Sequence, residues 1–313
     1  MIRKIVAIGD LHGDYYRLVR LLEKENAIIS ENELWKWNPN VKNLDLILLG
    51  DYCDWRGEPL EGPLEEWIYG GARIIEFLLT IKKELAQLKA TDSQFSSNIF
   101  TLIGNHDSML IEGYEIYRRF TTEEINFIFD SMKFPNKIIQ KFSSKNEKLE
   151  DALKFLNWLQ QGGERTISSY GAPYQWVARM EESHYKFFKE LTLGIIINST
   201  LFAHSLPDSK KYWLPLDEIE KLPEEKYNEA LQEFMWGRKV WGYDVFSGKP
   251  TIPFTYEEIE ELLRILKVKR AVIGHTPMRS IKPIVAYNGK IINLDLHGIP
   301  GSSSWVVEYE TSS

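Results

Sequence analysis

The sequence has a single cysteine, Cys53. No intramolecular disulfide can form, which excludes the disulfide-stapled class of small secreted domains. It also has no apolar run near the ~20 residues that a membrane span needs. The first apolar segment, Ile5 to Ile8, stops at Gly9-Asp10, short of a signal-peptide core. Positive charge is in deficit: 38 Lys+Arg face 45 Asp+Glu, a formal charge of -7. That balance argues against general nucleic-acid binding, because a polyanion is repelled wherever no local basic patch or metal offsets it. Gly and Pro are sparse, at 20 and 13 of 313 residues, with no triplet period, so a collagen-like chain is excluded. There is no low-complexity tract and no internal repeat. What is present is core material: 43% hydrophobic residues, with ten Trp, 15 Tyr and 15 Phe. The expectation is a globular cytoplasmic protein without a membrane partner, built as one large domain or two.

Short apolar runs end at glycine and are followed by helical periodicity. Ile5 to Ile8 stops at Gly9-Asp10, Leu44 to Leu49 at Gly50-Asp51, and Ile99 to Ile103 at Gly104-Asn105. Such runs suit strands buried on both faces. Tyr15 to Glu25 and Trp67 to Leu88 read as the intervening helices, giving an α/β layered pattern. From Ser108 to Leu191 the chain reads as helical, with segments Glu123 to Met132, Glu150 to Gln161 ended by Gly162-Gly163, and Trp176 to Leu191. This is the pattern of an inserted cap, residues 108–191, with Ser143 to Lys148 as its exposed loop. Strand-like runs return at Gly194 to Ala203, Arg270 to Ile273, Ile281 to Tyr287, Ile291 to Leu296 and Trp305 to Tyr309, closing a second sheet. Asn288-Gly289 reads as a hairpin turn.

Three strand ends carry chemistry directly after a glycine: Asp10-Leu11-His12, Asp51-Tyr52-Cys53-Asp54 and Asn105-His106-Asp107. Ligands gather where buried parallel strands empty into loops. Asp10 and His12 are two residues apart, so an extended backbone sends both to one side, where a carboxylate and an imidazole can hold one cation. His204 and His275 also end strand-like runs, as does His297 if it is counted with them. The sixth histidine, His184, sits mid-helix beside Glu181 and Glu182 and reads as part of a solvated face.

In order along the chain, Gly9-Asp10-Leu11-His12-Gly13, Gly50-Asp51, Gly104-Asn105-His106-Asp107, His204 and Gly274-His275 resemble the signature of the calcineurin-like metallophosphoesterases. Asp51-Tyr52-Cys53-Asp54-Trp55-Arg56-Gly57 looks like that of their phosphoprotein phosphatase branch, to which diadenosine tetraphosphate hydrolases also belong. The resemblance implies an α/β/β/α four-layer sandwich of two mixed sheets, a single domain over residues 1–313 with the helical insertion. It implies two divalent metal ions, one held by Asp10, His12 and Asp51, the other by Asp51, Asn105, His204 and His275, with Asp51 bridging. The mixed nitrogen and oxygen set favours Mn, Fe or Zn over Ca or Mg, with Mn the first expectation. A bridging hydroxide would be the nucleophile and His106 the general acid, oriented by Asp54, while Arg56 and Arg238 would bind phosphate oxygens. The implied substrate is a phosphate monoester on a serine/threonine phosphoprotein. The alternatives are a dinucleoside polyphosphate or other nucleotide and, from another class, a metal-free binding scaffold.

Two features depart from the pattern. Trp55 is inserted between Asp54 and Arg56, and Asp107 stands where the family has glutamate. Asp295 and His297 are expected to support the metal loops, Cys53 to be a small buried hydrophobe, and Trp55, Trp236 and Trp241 to pack in the core.

Overall fold

The structure, a computed structural model, describes residues 2–32, 34–55, 69–143, 146–244, 249–296 and 300–310. Arg56, Gly57 and His297, and the expected helix start at Trp67, lie outside these residues. The first half contains β1 (Ile2–Ile8), α1 (Tyr15–Lys24), β2 (Ile28–Glu31), β3 (Leu34–Trp37), β4 (Leu44–Leu48), α2 (Gly70–Thr91) and β5 (Asn98–Thr101). Helices α3 (Asn105–Tyr117), α4 (Thr122–Asp130), α5 (Pro135–Phe142), α6 (Asn146–Trp158), α7 (Glu164–Ser169), α8 (Pro173–Arg179) and α9 (Tyr185–Lys189) follow. The last part holds β6 (Gly194–Ile197), β7 (Thr200–Ala203), α10 (Leu216–Ile219), α11 (Glu224–Trp236), β8 (Tyr243–Asp244), β9 (Lys249–Pro250) and α12 (Tyr256–Ile265). It ends with β10 (Arg270–Ile273), β11 (Ile284–Ala286), β12 (Ile291–Asn293) and β13 (Trp305–Glu310).

Two main sheets have the orders β13-β1-β4-β5 and β11-β12-β10-β7-β6. Each is mixed: β1, β4 and β5 run parallel while β13 is antiparallel to β1, and β7, β10 and β12 run parallel between antiparallel β6 and β11. The period-2 geometry of strands explains the layering. Val6, Ile8, Leu44, Leu46 and Leu48 face one cluster, which includes α1, α2 and the helices of the insertion. Their neighbours Ile5, Ala7 and Ile47 turn the other way and meet Phe202, Val272 and Ile292 from the second sheet. Leu201, Ala203, Ala271, Ile273 and Ile291 face a third cluster with helices α10 to α12. Three cores in sequence make four layers, α/β/β/α, as expected. Strands whose residues are buried on both sides have no polar face to offer water, hence their continuous apolar runs. Each large aliphatic or aromatic side chain in the middle cluster contributes roughly 1.5–3 kcal/mol by leaving water.

Some expectations are corrected. Gly194 to Ala203 is not one strand but a hairpin, because Asn198 and Ser199 both take positive φ, 48° and 57°, the conformation of a tight two-residue turn. β13 does not close the second sheet; it crosses to pair with β1. The β2–β3 hairpin, with four residues in each strand, is too short to show in a periodicity reading. Helix α6 begins at Asn146, inside the expected loop. Within the Gly162-Gly163 pair that follows α6, Gly162 takes φ 113°, and a Cβ there would stand 2.6 Å from the carbonyl carbon of Asp54.

His184 is also corrected. It is 1% exposed, not on a solvated face. Its Nδ1 lies 2.6 Å from the Tyr170 hydroxyl, which donates to the neutral ring. Burial, with Arg179 adding to it, lowers its pKa to about 4. The unfolded chain, with histidine near 6.5, therefore binds more protons between these values, so stability falls as pH drops from about 6.5 to about 4. We predict a loss of at most about 3 kcal/mol from this residue over that window. In urea unfolding at pH 7 and pH 4.5, His184→Gln should lose less midpoint than the parent. An equal loss in both would contradict the assignment.

Candidate metal centre

The chain brings its strand-end residues together where β1, β4, β7 and β10 end. The loop after β1 is fastened to the loop after β4 by backbone bonds: the amides of Leu11 and His12 donate to the Asp51 carbonyl at 3.0 and 2.8 Å, and that of Gly13 to the Tyr52 carbonyl at 2.9 Å. Four site residues, His12, Asp51, Asp54 and His275, hold positive φ of 46° to 65°. Non-glycine residues rarely do so, and such strain persists where surrounding structure fixes it.

Asp107, one of the two sequence departures, has a clear task. As the third residue of α3 its carboxylate caps the Gly104 amide at 2.9 Å and reaches the amides of Asp51 and Tyr52 at 2.8 and 3.1 Å. It thus stitches two site loops together. Gly104 allows this approach, since a Cβ there would stand 2.1 Å from Asp51 Oδ1. The His106 amide then donates to Asp51 Oδ1 at 2.9 Å.

The histidines are set by their other nitrogens. His204 Nδ1 donates to the Leu49 carbonyl at 2.8 Å, so its Nε2 presents a lone pair, 3.4 Å from Asp51 Oδ2 and 3.0 Å from Asn105 Oδ1. His12 Nδ1 faces the carbonyls of Cys53 and Asp54 at 3.2 and 3.1 Å, and its Nε2 stands 3.6 Å from Asp51 Oδ2. Burial lowers the pKa of His12, His204 and His275, keeping all three rings neutral. Asp51 is pushed well above the usual carboxylate range by burial, then by Asp10 and Asp107. Ligand atoms of Asp51, His204 and His275 lie within 4.8 Å of one another, as do those of His12, Asp51 and His106. Neutral imidazoles whose ligand atoms converge beside crowded buried carboxylates fit divalent cations; carbonyls that hold the far nitrogen are how ligating imidazoles are usually oriented.

The remaining expected residues take distinct places. Asp10 turns its carboxylate to the His275 amide, both oxygens at 3.1 Å. His106 Nδ1 is 3.2 Å from Asp54 Oδ2. Arg238 donates from Nε to His275 Nε2 at 3.0 Å and from Nη2 to the His275 carbonyl at 3.1 Å. Asp295 is buried, and its carbonyl accepts from the Met278 amide at 2.9 Å. Cys53 is a buried small residue whose thiol burial pushes up. The tryptophans are half-buried: Trp241 packs against the third core cluster, Arg165 lies 4.1 Å over Trp55, and Trp236 meets His275 edge-on at 5.8 Å. Trp236 also lines a cavity of about 330 Å³ with Asn105, Ser108, Met109, Glu112, Asn157 and Gln232.

Sequence reasoning missed Arg17, Trp158 and Thr166. Arg17 is buried and ties the Asp10 carbonyl (2.6 Å) to Ser302 (2.9 Å), a residue 285 positions away. Its i+3 place after the helix-capping Asp14 gives no sign of that.

A curated relative, Shewanella-like protein phosphatase 1 of Plasmodium berghei, is 32% identical over 114 residues. The match covers 36% of this chain, and the chain spans only 25% of that protein. Among solved structures, a cold-active protein tyrosine phosphatase superposes with a TM-score of 0.60 at 18% identity, over 98% of this chain and 74% of that one. A protein serine/threonine phosphatase from Saccharomyces cerevisiae does so with a TM-score of 0.52 at 14% identity, over 99% and 81%. At such identities these likenesses speak for the fold. The family described as calcineurin-like phosphoesterase matches residues 3–279. With that match over nearly the whole chain, a span that contains the strand-end residues that converge here, the chain belongs to the calcineurin-like phosphoesterases, a family of metal-dependent enzymes.

Proposed function

We propose that the protein hydrolyses phosphate monoesters at a two-metal centre, as a protein phosphatase of serine/threonine type. The observation that carries the reading is the sharing of Asp51 between two groups of converging ligand atoms. In this reading Asp10, His12 and Asp51 hold one ion and Asp51, Asn105, His204 and His275 the other, with Mn preferred and Fe or Zn able to substitute. When bound, the ions supply a nucleophilic water of lowered pKa and positive charge against the phosphate oxygens.

The chain's own groups do the rest. His106 lies in one of the ligand groups; in this reading its Nδ1 is held by Asp54 and its other nitrogen gives a proton to the departing alkoxide. Arg238 spends Nε and Nη2 on His275, which leaves Nη1 for a phosphate oxygen. Arg56 keeps its family role as a proposal. The cavity beside Asn105 would receive what the phosphate is attached to, with residues 108–191 capping the site within one domain over 1–313. The aromatic face of Trp236 in that cavity also supports a second reading, a nucleotide substrate.

Treatment with a strong chelator should abolish phosphatase activity, and Mn should restore it with close to two ions per chain. Full activity in a metal-free sample would contradict the proposal. His106→Asn should lower kcat on an alkyl phosphate by roughly 10² to 10⁴ with metal content unchanged. Loss of metal in that variant would instead make His106 a ligand. A panel of phosphopeptide, aryl phosphate, diadenosine tetraphosphate and phosphodiester ranks the substrate readings. Fastest turnover of phosphopeptide supports the first, and of the dinucleotide the second.

A further inference from the structure

Asp54 is held by the helical insertion. Thr166 Oγ1 donates to Asp54 Oδ1 at 2.6 Å and accepts from the Asp54 amide at 2.8 Å. Trp158 Nε1 donates to Asp54 Oδ2 at 2.7 Å, the same oxygen that faces His106 Nδ1 at 3.2 Å. Between these two residues the chain makes a wide helical turn, and Gly162 presses against the backbone of Asp54. Asp54, His106, Thr166 and Trp158 are all buried.

We infer that Thr166 and Trp158 are positioning residues of the proton donor, so that the insertion takes part in leaving-group protonation as well as covering the site. The inference rests on the proposed reading of His106 as the acid. The physical case is one of constraint. Asp54 stands at φ 61°, a conformation its own chain does not prefer. Its carboxylate can rotate about two side-chain bonds, and three donors fix it: an indole N–H, a hydroxyl and the imidazole. Each is a hydrogen bond to an ionised oxygen, the strong kind. The side-chain bonds of both insertion residues described here go to Asp54, which the proposed reading places outside the ligand set. If Thr166 loses its hydroxyl, Oδ1 and the Asp54 amide both lose a partner in a buried place, and the carboxylate turns or shifts to find others. His106 then follows, and misplacement of a reacting group by about 1 Å costs on the order of 10²-fold.

Trp158 has a second task, which the test must separate. Its ring packs at 5.6 Å from Phe155 and 5.5 Å from Trp176 in the core of the insertion. A change in packing alone would lower stability and scale all substrates alike. A change in acid placement would depend on how badly the leaving group needs a proton.

The experiment measures kcat of the Mn-loaded full chain on phosphate monoesters of graded leaving-group basicity, from p-nitrophenyl phosphate to an alkyl phosphate. Thr166→Val, Thr166→Ser, Trp158→Phe and His106→Asn are compared, with metal content and Tm for each. Thr166→Val and Trp158→Phe should lose roughly 10-fold to 100-fold on the alkyl phosphate and under about threefold on p-nitrophenyl phosphate, with metal content unchanged. Thr166→Ser, which keeps the hydroxyl, should restore the parent dependence. Should Thr166→Val not fold, Trp158→Phe and Thr166→Ser decide alone. Losses equal across the series, or none, while His106→Asn stays leaving-group dependent, overturn the positioning role and leave the acid in place. An His106→Asn profile parallel to the parent's overturns the acid reading itself.

Discussion

Buried negative charge that must be kept in one place is the constraint on which this molecule depends. Asp10, Asp51, Asp54 and Asp107 are all buried at neighbouring strand ends. A carboxylate removed from water is costly unless donors or cations surround it. Three of the four meet that cost with backbone amides or uncharged donors: His275 for Asp10, three loop amides for Asp107, Thr166 and Trp158 for Asp54. Asp51 accepts one amide, from His106, and otherwise faces imidazole nitrogens whose lone pairs are directed at the same space. That is where positive charge is called for. The strained backbone and the close glycine contacts serve this arrangement, because the loops must approach within hydrogen-bond reach of one another.

The sandwich supplies the rigidity that such crowding needs. Residues that alternate between the middle core and an outer core lock β1, β4, β7 and β10 on both faces, so their ends have little freedom. The insertion is joined to this frame by more than its two connections. Its aromatic core is continuous with the outer face of the first sheet, and Trp158 and Thr166 reach from it to Asp54. In the proposed reading, the same structural unit that covers the site also holds the partner of the proton donor.

The layered fold was legible because strands buried on both faces leave uninterrupted apolar runs, and the site because its residues follow those runs directly, most of them after a glycine. Asp51 and His204 could be found in this way. Local patterns failed where tertiary context decides. His184 sits beside two glutamates in sequence, yet the helix turns it inward to Tyr170. β13 alternates like any hairpin partner, but pairs with a strand about 300 residues earlier. Trp158 and Thr166 lie 104 and 112 residues from Asp54, with no motif to mark them. Asp107 counted as a departure from a pattern until its three amide contacts showed what the shorter acid does.

The central claim is that one carboxylate, Asp51, serves two cation sites at once. Calorimetric titration of Mn into chelator-stripped parent protein and into Asp51→Asn, with circular dichroism to confirm that both are folded, tests it directly. The account predicts two ions bound by the parent and loss of both by the folded variant. A folded Asp51→Asn that still binds two ions with parental affinity would contradict it.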